Sequence, residues 1–110
     1  MEFKRIGLDF SELESFVTAL KFEIATARCE GCRLLKIDML GDTADLDIRK
    51  LFGSLARTLR AMKQKGMIQL FAFPDSFERH STEAVFLLNK FPENVVIEDS
   101  DEKLYVYIML

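Results

Sequence analysis

Apolar and polar residues alternate along FKRIGLDF (residues 3–10), so Ile6, Leu8 and Phe10 share one side and predict a strand. SELE (11–14) follows, where Ser11 can cap a helix while Glu14 reaches back to it, a capping box. Leu13, Phe16, Val17, Leu20 and Ile24 then recur at helical spacing to about Arg28, and Gly31 ends the helix. RLLKIDML (33–40) is mostly apolar and predicts a second strand. A long helix follows, capped near Asp45 and running to about Lys65. Its buried stripe is Ile48, Leu51, Phe52, Leu55, Leu59 and Met62, and Gly66 stops it. MIQLFAF (67–73) is a third strand, ended by Pro74. Residues 75–81 read as a loop. A short helix opens at Ser81 or Thr82 and is closed by Pro92, and NVVIE (94–98) and KLYVYIML (103–110) read as two strands around an acidic turn.

The predicted order is βαβαβαββ. Strands alternating with helices favour parallel, right-handed crossovers, so the first three strands are expected to be parallel and the last antiparallel to its neighbour. The expected fold class is a single-domain α/β sandwich with a mixed sheet over residues 1–110. A length of 110 residues suits one core, and 49% apolar with 30% charged residues is a globular balance. Ten Phe and no Trp fill that core with medium-large side chains. No apolar run approaches membrane-spanning length, and Glu2, Lys4 and Arg5 interrupt the start, so the expectation is a cytoplasmic protein with no membrane partner.

The net charge of −3 excludes a protein that is basic as a whole, but the charges are unevenly placed. The second helix carries Arg49, Lys50, Arg57, Arg60, Lys63 and Lys65 and no carboxylate, opposite its apolar stripe. Acids crowd the C-terminal segment instead: Glu93, Glu98, Asp99, Asp101 and Glu102. A solvated helix balanced by those acids is the plain explanation. The functional one is a phosphate-binding face built from Arg49, Lys50, Arg57, Arg60 and Lys63. Clustered aromatics for base stacking are not evident, so such a face would bind RNA or single-stranded DNA weakly and with little sequence preference.

Carboxylates supply the other candidate chemistry. Asp9 and Asp38 lie at or near the ends of the first two strands, with Asp42, Asp45 and Asp47 beyond them. If those strands are parallel neighbours, Asp9, Asp38 and Asp42 approach one crevice, where oxygen ligands can hold Mg²⁺ and activate water. Their structural duties compete: Asp45 and Asp47 suit a helix N-terminus, Asp42 a turn, and Asp9 the backbone N–H groups near the first helix. Gly41 and Thr43 offer donors to a phosphate, but the neighbouring aspartates repel it. His80 stands alone in a polar loop. Cys29 and Cys32 lie where a helix ends and a strand begins, the reverse of a redox CxxC, and zinc lacks its remaining ligands; a Gly31 helix cap flanked by two thiols is the reading.

The order of pieces resembles the Smr (small MutS-related) domain family. LDFS (8–11), LLKIDMLGDTADLDIRK (34–50), GMIQLFAF (66–73) and LYVYIML (104–110) follow its sequence of strand, apolar strand with Gly loop, helix opening on Ile-Arg, and closing strand. FAFPDSF (71–77) and LLNKFPE (87–93) are similar to segments of a bacterial Smr subfamily. Leu8 and Asp9 fit the family's Leu-Asp-x-His, but Ser11 stands where it has His. Met39 stands nearest the His of His-Gly-x-Gly, and only Gly41 remains of that loop. Smr domains are associated with nicking DNA or cleaving RNA. With both histidines absent, the resemblance implies the scaffold and a nucleic-acid partner without the nuclease. Three functions therefore stand as expectations. The first is a non-catalytic Smr-like nucleic-acid or adaptor module needing no cofactor. The others are a Mg²⁺-dependent nuclease or hydrolase using Asp9, Asp38 and Asp42, and a protein-interaction module with a protein partner or a second copy.

Overall fold

The structure is a computed structural model, and it describes residues 3–40, 48–73, 82–90 and 105–110. Along the chain it places β1 (Phe3–Asp9), α1 (Leu13–Cys29), β2 (Leu34–Leu40), α2 (Ile48–Gln64), β3 (Leu70–Ala72), α3 (Thr82–Lys90) and β4 (Tyr105–Met109). The expected α/β class with a mixed sheet is what forms. The sheet has four strands in the order β1-β2-β4-β3. β1 pairs parallel with β2, while β4 runs antiparallel to both β2 and β3, so β1, β2 and β3 all point the same way. The expected strand at 94–98, the Asp45 cap and the loop at 75–81 lie outside the described residues.

Both crossovers, β1-α1-β2 and β2-α2-β3, step in the same direction across the sheet. Right-handed connections then put α1 and α2 on one face. That face holds the larger core: Phe16, Leu20 and Ile24 of α1 and Leu51, Leu55, Leu59 and Met62 of α2 close over Leu35, Ile37, Met39, Val106 and Ile108. Leu34, Leu70, Ala72, Tyr107 and Met109 occupy the opposite face, where Leu87 of α3 packs on them. β2 and β4 are therefore covered on both sides, which explains why their sequences lack a simple polar alternation.

Two helix ends form as their glycines require. Gly31 and Gly66 both have φ of 75°, a conformation costly for residues with a Cβ. At each, the glycine N–H and the next N–H fold back on the last turn: Gly31 to Arg28 and Cys32 to Ala27, Gly66 to Lys63 and Met67 to Met62. This capping consumes Met67, so β3 spans three residues and is shorter than the expected 67–73 strand. The start of α1 differs from expectation. Its cap is Glu12, with no side-chain hydrogen bond, so the Ser11–Glu14 capping box does not form. The Ser11 N–H is instead taken by Asp9 Oδ1 at 2.8 Å, which fixes the turn before the helix begins.

Candidate nucleic-acid interface and strand-end carboxylates

α2 lies on its core side against the sheet, and its polar side is directed away from it. Arg49, Lys50, Arg57, Arg60, Lys63 and Lys65 are all exposed. At 100° per residue, Lys63, Arg49, Arg60, Arg57 and Lys50 fall within an arc of about 140°, opposite Leu55, Leu59 and Met62. From Arg49 to Lys63 the stripe is about 21 Å long, at 1.5 Å per residue. Among the described residues, Arg49, Arg57, Arg60 and Lys63 make no ion pair. No Asp or Glu occurs anywhere from residue 48 to 73. The acidic residues expected to balance this stripe, Glu93, Glu98, Asp99, Asp101 and Glu102, lie outside the described residues.

The parallel pairing of β1 and β2 brings Asp9 and Asp38 onto the same sheet face, the one bearing α3. Gly7 is the register partner of Asp38, and Asp9 that of Leu40. Both carboxylates are already committed. Asp38 is not a loose strand end; it sits within β2, with its side chain only 10% exposed. Arg5 Nε donates to its Oδ2 at 2.6 Å. Its Oδ1 is buried without a hydrogen bond, and Lys36 Nζ stands 4.0 Å away. Lys36 is itself fully buried, its ammonium 4.7 Å from the Tyr105 ring centre and 5.6 Å from that of Tyr107. Register explains the cluster: Lys36 lies opposite Tyr107 on one side and Arg5 on the other, so charges from β1 and β2 meet the tyrosine rings of β4 on one face. Two cations beside Asp38 oppose a divalent metal at that carboxylate. Among the described residues no group of three metal-ligating side chains forms. Asp42, Gly41, Thr43 and His80 lie outside the described residues.

Asp9 is held below the usual carboxyl range by the Ser11 N–H and then by the Ser11 side chain. A folded pKa below the unfolded one gives stability that is present above the unfolded value of 3.8 and lost as pH falls through the folded one. An NMR titration should therefore find the Asp9 carboxyl titrating below 3.8 in the native protein. A midpoint at or above that value would mean the bond to Ser11 is not held.

The cysteine pair forms no disulfide: Cys29 is exposed and Cys32 buried. Burial pushes the Cys32 thiol up, outweighing a backbone hydrogen bond of Leu34 that favours the thiolate. At neutral pH a maleimide should label Cys29 quickly and Cys32 only after unfolding. Equal labelling rates, read by mass spectrometry, would contradict the burial.

The basic stripe was predictable because helical periodicity displays it. Lys36, Tyr105 and Tyr107 do not stand out as site residues in the sequence. A signal existed, since Leu34, Lys36 and Asp38 alternate within an apolar strand, but no local pattern shows what lies across the sheet. Compared with protein-family models, with curated proteins and with solved structures, the chain matches none.

Proposed function

We propose that the protein is a non-catalytic, Smr-like module that associates with RNA or single-stranded DNA through the polar face of α2. The observation that carries this reading is the exposed stripe Arg49, Lys50, Arg57, Arg60 and Lys63 on a helix without a carboxylate. Phosphate contact needs only spaced cations, whereas base reading needs stacked aromatics or groove-entering side chains. Binding is accordingly weak, local and indifferent to sequence. The loss of both family histidines and the engagement of Asp38 by Arg5 and Lys36 favour this reading over a metal-dependent nuclease. Among the described residues no helix is long and apolar enough to cross a membrane.

The test is a titration of labelled single-stranded RNA across a series of salt concentrations. Each phosphate contact on a single strand contributes a slope of about −0.7 in log affinity against log salt. Three to five contacts would cost about two to three and a half orders of magnitude in affinity per tenfold rise in salt. Absence of binding at low salt, or binding that ignores salt, would leave the module without its nucleic-acid role.

A further inference from the structure

Among the described residues β1 is an edge strand, pairing with β2 alone. Phe10 N–H donates to the Leu40 carbonyl, so even-numbered residues of the strand direct their main-chain groups toward β2 and odd-numbered ones direct theirs outward. Natural edges are usually guarded by proline, bulges or lysines. β1 has seven residues and no proline. Its two cations are both drawn to carboxylates of the same chain, Lys4 to Glu30 at 3.1 Å and Arg5 to Asp38 at 2.6 Å.

Gly7 adds a second observation. A Cβ at Gly7 would come within 2.7 Å of Leu40 Cδ1, so the Leu40 side chain lies across the bare backbone of the edge strand. Leu40 remains 45% exposed there, an apolar side chain covering a strand edge without being covered itself.

We propose that β1 is a self-association edge, pairing antiparallel with β1 of a second copy around a two-fold axis between the two Gly7 residues. In this register Arg5 of each chain lies opposite Asp9 of the other, and Ile6 lies opposite Leu8. Charges of opposite sign thus face each other on one side of the sheet and apolar residues on the other. Over the axis the two Leu40 side chains meet above the glycine pair, giving each the cover it lacks. Other registers are worse: one centred on Arg5 sets the two arginines against each other, and one centred on Ile6 places Leu40 over Arg5. A slip of one residue opposes outward groups to inward ones. The two-fold axis stands perpendicular to the sheet, so the result is a continuous eight-stranded sheet. The α1 and α2 helices of both copies lie on one side of it, with the basic faces doubled. The pairing stands independently of the nucleic-acid reading.

The mass of the full chain in solution, by light scattering after gel filtration at tens of micromolar, tests this. The expected mass is twice 12.7 kDa. Leu40→Asp, at an exposed position, should return it to 12.7 kDa with an unchanged circular-dichroism spectrum. In a Cys29→Ser background, where Cys32 stays buried, Leu40→Cys should cross-link between chains with a short bis-maleimide. Phe22→Cys, 66% exposed on α1, should not. A monomeric wild type, a dimer untouched by Leu40→Asp, or cross-linking at Phe22→Cys but not Leu40→Cys would each overturn the proposal.

Discussion

Replacing Asp38 by alanine should cost the fold about 3–5 kcal/mol, the range for removing one partner of a buried ion pair. Lys36 is fully buried on the α3 face of the sheet, and Asp38 Oδ1 is 4.0 Å from its ammonium. The tyrosine rings stabilise that ammonium through their faces, but such contacts are worth about 0.5–2 kcal/mol and do not neutralise it. Arg5 loses less, because its side chain is 38% exposed and water replaces the carboxylate. A domain of this size has about 5–15 kcal/mol in all, so the variant should lose a substantial share of its stability. Asp38→Asn keeps the shape and an acceptor for Arg5 and should lose less. Pairing Asp38→Leu with Lys36→Met should recover most of the loss, since apolar residues of similar volume often replace a buried pair at little cost. Urea unfolding of the wild type and these three variants measures this. An Asp38→Ala loss below about 1 kcal/mol would show that another group carries the counter-charge of Lys36.

The second large effect is on binding. Arg57→Glu with Arg60→Glu should abolish association with single-stranded RNA under conditions where the wild type binds. Both side chains are exposed on the arc of α2 opposite the core, so the fold should be unaffected. Losing two phosphate contacts makes the salt slope shallower by about 1.4, and two new carboxylates repel the strand. The substitutions take the net charge from −3 to −7, two units each, so a general charge effect needs a control. Lys21→Glu with Arg28→Glu makes the same change on exposed positions of α1. If the α1 pair weakens binding as much as the α2 pair, the stripe is not the contact surface. If only the α2 pair does, the contact is local to that helix.

What the sequence reveals here is what is local. Ile6, Leu8 and Phe10 share a face because strand periodicity needs no partner to be seen, and the same holds for Leu51, Leu55, Leu59 and Met62 on α2. Gly31 and Gly66 mark helix ends because a positive φ excludes most other residues. The Ser11–Glu14 box was a local expectation that failed, since Asp9 two residues upstream captured the Ser11 N–H first. The state of Asp38 is not local at all. Its sequence neighbourhood suggests a free carboxylate, and only the register of β1 against β2 sets Arg5 beside it. The basic stripe belongs to one helix and was visible; the cluster of charges and tyrosine rings is spread over three strands and was not.

The position of β4 has a consequence for synthesis. Tyr105–Met109 fill the gap between β2 and β3, so the centre of the sheet is made from a segment translated after both of its neighbours. β3 is complete at Ala72, and 32 further residues precede Tyr105. At 5–20 residues per second that interval is roughly 2 to 6 s. Throughout it β2 and β3 have no strand between them, and their unpaired edges are open to other nascent chains and to chaperones. A ribosome stalled between those points would release a polypeptide with both helices of the larger core but no closed sheet. Such a product is a substrate for degradation or aggregation rather than a shortened working protein.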